Sequence, residues 1–187
     1  MTRIPLAEDH EIRPDVLATI KDLEAQSTGD MSTMRILAHR PDIMEPFLNF
    51  YMALQQQGML EIKLVELVRM AIAQINQCST CLSGQYAEAV EAGVTQELVN
   101  ALPYAEHDER FTPREQAAIA FAKRMARDHW TINDDDFGVL YEHFSREEII
   151  ELIMNIVQFI GIGRMFAVID SINPICEIPG ATGATQA

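Results

Sequence analysis

Residues 147–171 read EEIIELIMNIVQFIGIGRMFAVIDS, a long apolar segment with the periodicity of a helix. A helix that is apolar around most of its circumference is stable only when other elements cover it. A membrane is not the expected cover. The most apolar part, IIELIMNIVQFIGIG, carries Glu151 and falls short of the roughly 20 uncharged apolar residues that a span needs. The covering elements must therefore come from the rest of the chain, and these too read as helix. There is no convincing two-residue alternation and no Asn-Gly or Asp-Gly hairpin turn. The expected class is all-α, a bundle of about eight or nine helices.

Punctuation places the elements. Pro14 is an allowed first helical residue and opens DVLATIKDLEAQ, which Thr28 and Gly29 break. A short helix in MSTMRILAHR stops before Pro41, and PDIMEPFLNFYMALQQQG runs to Gly58. Next come EIKLVELVRMAIAQINQ and the cysteine-bearing CSTCLSGQYAEAVEAG, read as one helix closed by Gly93. TQELVNAL is short and leads into a polar loop, PYAEHDERF. TPRE at 112–115 and SREE at 145–148 both fit the capping box, in which a hydroxyl and a Glu three residues later satisfy two orphan backbone donors reciprocally. The weaker NDDDFGVLYEHF lies between. LVELVRMAIAQI at 64–75 and IIELIMNIVQFI at 149–160 align without gaps, Glu66 over Glu151, which suggests an internal duplication.

At 187 residues the chain can bury a core without disulfide or metal staples. A net charge of −14 disfavours nucleic acid and anionic membranes as partners. MTRIPLAEDHEIRPD has no apolar stretch of the signal-peptide kind, so the expected compartment is the cytoplasm. In that reducing environment a close cysteine pair points to redox, catalytic or metal chemistry.

Cys78 and Cys81 are two of only three cysteines. On one continuous helix Cys78, Cys81 and Gln85 fall within an arc of about 60° and form a single stripe. A C-x-x-C at a helix start favours thiolate over thiol, and the thiolate is the nucleophile. With a second thiol one turn away, an oxidised sulfur resolves as a disulfide and is spared irreversible oxidation. Upstream, Glu66 stands among apolar neighbours, where a carboxylate must be paired, hydrogen-bonded or protonated. It is either a proton acceptor or the partner of Arg69 or Lys63 on its own helix.

A Glu twelve positions before a C-x-x-C, on a helix pair in a small acidic all-α protein, resembles the alkylhydroperoxidase D and carboxymuconolactone decarboxylase superfamily, over about residues 36–169. The family pattern is Glu, then C-x-x-C, then His four residues after the second Cys. Glu66, Cys78 and Cys81 match it, and Gln85 stands at the histidine position. The resemblance implies an orthogonal helical bundle in one domain, 1–173, followed by a flexible tail, 174–187. It implies a peroxidatic thiolate at Cys81, a resolving thiol at Cys78 and a proton relay ending at Glu66, with no bound cofactor and an external dithiol as electron donor. A Gln amide donates and accepts hydrogen bonds but takes no proton near neutral pH. Gln85 is thus expected to hold a water between Cys81 and Glu66.

Other readings of these residues are weaker. Zinc needs four ligands, and Cys176 stands alone in NPICEIPG. A thioredoxin-type site belongs to a strand-to-helix junction, absent from this pattern. Two cysteines simply packed in a core remain an open alternative. His107, His129 and His143 read as surface or capping side chains, His129 being the best placed to substitute for the missing imidazole. Met31, Met34, Met44, Met52, Met59 and Met70 read as core filler, and NDDDF as a solvated helix start.

The expected function is therefore thiol-dependent reduction of a peroxide. A second possibility is a lactone lyase or isomerase in which Glu66 moves the proton and no redox cysteine is needed. A third is a small-ligand-binding relative without catalysis. The apolar surface of 149–169 exceeds what one chain need bury, so a homo-oligomer is expected.

Overall fold

The computed structural model describes residues 2–26 and 34–169. Met31, Cys176, the break at Thr28 and Gly29, and the tail at 174–187 lie outside the described residues. As expected, the chain is all-α. In order the helices are α1 (Pro14–Gln26), α2 (Met34–Leu37), α3 (Pro41–Gln57), α4 (Ile62–Asn76), α5 (Ser79–Leu82), α6 (Ala87–Glu91), α7 (Gln96–Ala101), α8 (Pro113–Asp128), α9 (Asp134–Tyr141) and α10 (Arg146–Ile169), with 3-10 turns at Leu102–His107 and His129–Thr131.

The centre of the bundle is α4, which has no exposed residue and is covered by other elements on all sides. Leu64, Val65, Val68 and Ile72 pack with Ala118, Ala122 and Phe121 of α8 and with Leu152, Ile156 and Phe159 of α10. Its opposite face, Leu67, Met70 and Ala71, meets Val99 of α7, Leu102 and Ala105 of the 3-10 turn, and Ile119. A third cluster joins Ala7, Val16 and Ile20 to Met44, Leu48, Phe166 and Cys78. Met34, Met44 and Met70 are core, as expected, whereas Met59 is exposed. By length and composition alone α10 could cross a membrane. Its contacts with α4 and α8 show how it is used instead, as a wall of the core.

Both capping boxes form. Glu115 N donates to Thr112 Oγ1 at 3.2 Å and Thr112 N to Glu115 Oε2 at 2.8 Å. At Ser145 the reciprocal bonds are 3.2 and 2.7 Å. Asn133 makes a third box with Asp136, so the acidic run is a helix start, as read. Thr112→Ala should cost about 1 kcal/mol in urea unfolding, the typical value for a lost N-cap hydroxyl; no change would mean that another group caps α8.

Two local expectations are corrected. Residues 78–93 are not one helix but α5 and α6 with an irregular link between them. The polar loop after α7 is partly the 3-10 turn Leu102–His107, because Leu102 and Ala105 are drawn into the core. Gly58 ends α3, as expected, in an extended conformation. Its constraint is space, since a Cβ there would lie 2.5 Å from the Leu54 carbonyl and 2.6 Å from Glu151 Oε1. Glu151 itself accepts hydrogen bonds from Met59 N (2.6 Å) and Leu60 N (3.1 Å), tying α10 to the turn before α4. The helices whose sequences align thus pack together, but their glutamates have different partners.

Candidate functional site

The cysteine pair is built by the way α4 stops. Gln77 turns left-handed (φ 51°, ψ 41°) and returns its N–H to carbonyls of the last turn, after which Cys78 N bonds Ala73 O. The chain then re-enters helix with Cys78 as the N-cap of α5, and Cys81 N donates to Cys78 Sγ at 3.2 Å. The C-x-x-C spacing is therefore also capping geometry, a side-chain acceptor at the N-cap and a donor three residues on. The two cysteines are disulfide-bonded, with Cα atoms 5.2 Å apart. Cys78 is fully buried and Cys81 half-buried, so Cys81 is the more exposed residue of the pair.

Glu66 is fully buried and faces Arg69 one turn along α4. Arg69 Nε donates to Oε2 at 2.6 Å and Nη2 to Oε1 at 2.7 Å, a two-pronged pairing that fits a guanidinium to a carboxylate. Of the readings left open for Glu66, the ion pair with Arg69 is the one observed; Lys63 pairs with Glu115 instead, at 2.8 Å. Tyr86 N approaches Glu66 Oε1 at 3.3 Å, and the Tyr86 ring lies under the guanidinium, 5.0 Å from Cζ. The Tyr86 hydroxyl is hydrogen-bonded to that of Tyr51. Burial opposes the charge on Arg69, but its bonds to Glu66 prevail and hold its pKa above the ordinary value. Burial also pushes both tyrosines up, Tyr86 furthest, so both stay neutral at physiological pH.

Arg69 also reaches out of its own helix. Nη1 donates to Cys81 O at 2.8 Å and Nη2 to Gly84 O at 2.7 Å. In an uninterrupted helix those carbonyls would accept from the N–H groups of residues 85 and 88. With α5 ending at Leu82 and these carbonyls bonded to Arg69, the expected stripe of Cys78, Cys81 and Gln85 does not form. Gln85 is half-buried in the link between α5 and α6, next to the Tyr86 amide that meets Glu66.

The histidines sit where surface side chains sit. His107 and His129 are exposed, and His129 meets Trp130 edge-on at 5.2 Å. His143 is half-buried between α9 and α10. Among the described residues no three His, Cys, Asp or Glu side chains converge as a metal site would require.

On the far side of the disulfide is α10. A Cβ on Gly163 would lie 2.6 Å from Asn76 Nδ2 and 3.7 Å from Cys81 Sγ. Asn76 bonds Phe159 O at 3.0 Å, and Arg164 Nε donates to its side-chain oxygen at 3.1 Å. Gly163 thus gives the sulfur and the amide room against the helix. Gly163→Ala should lower stability by about 1–3 kcal/mol through overpacking, seen as a fall in the urea midpoint. An unchanged midpoint would mean that Asn76 moves aside freely. The reach of Arg69 to residues 81 and 84, the second tyrosine and the closeness of Gly163 all depend on contacts between distant segments, and the sequence reading missed them. The proximity of Glu66 and Arg69 on one helical turn was the one signal available.

Residues 41–124, from the start of α3 into α8, match the carboxymuconolactone decarboxylase family. No curated protein matches the chain in sequence. Among solved structures, an uncharacterized peroxidase-related protein with an alkylhydroperoxidase AhpD core, from Ralstonia eutropha, is 24% identical. It covers 95% of this chain and 94% of its own, with a TM-score of 0.72. A peroxidase-related protein from a Silicibacter species is 18% identical, over 89% of this chain and 87% of its own, with a TM-score of 0.72. The debrominase Bmp8, in its apo form, is 17% identical over 92% of each chain, with a TM-score of 0.74. These structures share the fold. The match to the carboxymuconolactone decarboxylase family spans the helices that carry Glu66 and the cysteine pair, and the fold around them is the one these solved structures share.

Proposed function

We propose that the protein reduces peroxides through a dithiol-disulfide cycle of Cys81 and Cys78. The observation that carries this reading is the asymmetry of the pair, a half-buried Cys81 beside a fully buried Cys78 whose sulfur accepts the Cys81 N–H. The Cys81 thiolate attacks an oxygen of the O–O bond, which breaks; the sulfur becomes a sulfenic acid and the alkoxide takes a proton from water. Cys78 then attacks the Cys81 sulfur, forming the disulfide and releasing water. An external dithiol reopens it by attacking Cys81. Cys78 leaves as a thiolate stabilised by the Cys81 N–H, and the second donor thiol releases Cys81 and closes the donor disulfide. Two electrons pass from donor to peroxide.

Because Arg69 engages both oxygens of Glu66, that carboxylate supports the loop, and a water held by Gln85 carries the proton. A reducing compartment such as the cytoplasm supplies the donor. The test is consumption of cumene hydroperoxide by the wild-type protein with dihydrolipoamide. Turnover with cycling of the Cys78–Cys81 disulfide is expected, and a disulfide that no dithiol opens, together with no turnover, would sink the reading.

The burial of Glu66 supports a second reading, a lyase acting on a cyclic carboxylated substrate such as a lactone. It predicts activity that survives Cys→Ser at both positions and falls with Glu66→Gln; the reverse pattern excludes it. In either case we place a second copy of the chain on the outer face of α10. There Ile150, Met154, Val157, Gly161, Arg164 and Val168 are exposed at alternating spacings of four and three, the seam of a helix that meets another helix. Val157→Glu should then lower the mass seen by light scattering to that of a smaller species, and an unchanged mass would place the contact elsewhere.

A further inference from the structure

We propose that Arg69 is a positioning residue for the redox pair, holding residues 81–86 in the conformation in which Cys78 and Cys81 close on one another. The proposal rests on the reading of these cysteines as a working dithiol.

The geometry is that of a helix stop supplied from outside. A one-turn helix such as α5 leaves its last carbonyls without intrahelical donors. Here a single guanidinium donates to one of them, Cys81 O at 2.8 Å, and to Gly84 O just beyond the helix end at 2.7 Å. Arginine side chains can cap helix C-termini in this way. What distinguishes this cap is its rigidity. The guanidinium is fixed by two bonds to a fully buried carboxylate, stacked on Tyr86, and drawn from α4, the most enclosed helix of the fold.

The same carboxylate lies 3.3 Å from the Tyr86 amide, so one ion pair holds both ends of the segment that follows the disulfide. At the other end of α5 the chain is fixed by the turn at Gln77. Cys81 is thus clamped from both sides, with its sulfur between Cys78 and the bare face of α10 at Gly163. A buried ion pair that only held the fold together would need no contact with residues 81 and 84.

The two roles separate thermodynamically. If Arg69 stabilises the whole fold uniformly, removing it weakens the oxidised and reduced proteins equally, and the exchange of the protein disulfide with two glutathione thiols does not move. If it positions the pair, the loss falls on the disulfide form, because the clamp keeps Cys78 against Cys81. The experiment equilibrates wild type, Arg69→Lys and the double variant Glu66→Gln/Arg69→Met in glutathione redox buffers, reads the dithiol fraction by alkylation and mass, and records the Tm of both forms.

The double variant avoids stranding a buried charge. It is expected to shift the exchange constant toward the dithiol by about tenfold, the size of one lost charge-assisted hydrogen bond. Arg69→Lys should fall between it and wild type, since an ammonium keeps the charge but not the planar fork. A double variant within twofold of wild type overturns the proposal, however far its Tm falls. Should the double variant not fold, Arg69→Lys decides alone: a shift of twofold or more supports the role and a smaller one overturns it. The readout needs no turnover, so an inactive protein whose disulfide still exchanges with glutathione would count against the peroxidase reading and leave this test intact.

Discussion

Cys81→Ser should reduce peroxide turnover by about three orders of magnitude or more, while Cys78→Ser should still consume one equivalent of peroxide per chain before it stops. The difference follows from burial. Cys81 is the half-buried residue and Cys78 the enclosed one, so on the proposed reading peroxide meets Cys81 first. With serine at 81 no nucleophile remains in reach. With serine at 78 the first step proceeds to the sulfenic acid, which has no resolving partner and can be trapped with dimedone. Stopped-flow consumption of cumene hydroperoxide, followed by mass spectrometry of the trapped adduct, reads both. Equal bursts from the two variants, or an adduct on Cys78, would reverse the assignment of nucleophile and resolving thiol. Full steady-state activity in both would remove the cysteines from the chemistry.

Glu66→Gln should destabilise the fold by about 3–5 kcal/mol, because it leaves the Arg69 charge enclosed with a neutral partner. Glu66 is fully buried and the Arg69 side chain is 13% exposed, so solvent offers little relief. A glutamine amide can present one oxygen to the fork, and its NH2 group then opposes the other prong. The double variant Glu66→Gln/Arg69→Met should recover much of the loss, since no unpaired charge remains. Urea unfolding of the oxidised protein measures both. A loss below about 1 kcal/mol for the single change would show that water reaches the pair. Arg40 and Asp42 provide the contrast. Their bonds have the same two-pronged form, at 2.8 and 2.9 Å, but both side chains stand in solvent, and breaking that pair should leave the unfolding midpoint where it is.

The reading of Gln85 shows how far one-dimensional spacing carries. Counting residues placed it on the helix of Cys78 and Cys81, and the count was sound for any unbroken helix. Where that helix stops, a guanidinium from twelve residues before Cys81 takes the Cys81 carbonyl, and a donor arriving from another element has no local signature. The cysteine-bearing turn fared better, because its N-cap bond spans three residues and is a local matter. Glu66 lay between these cases. Its need for a partner was legible, and the choice of Arg69 over Lys63 was settled when Glu115 of α8 came within 2.8 Å of Lys63.

The sequence by itself determined the all-α class, the starts of α8 and α10, the need of the most apolar helices for cover and the placing of two cysteines one turn apart. Each of these is written in contacts between residues within a few positions of one another, where capping, helical period and the cost of exposing apolar surface act directly. Only the tertiary structure decided how deeply each cysteine is buried, where the cysteine-bearing helix ends and which partner the buried glutamate takes. Those outcomes depend on α4, α5, α8 and α10 meeting in space, and a guanidinium on one helix can redirect the backbone of another only once packing has brought the two together.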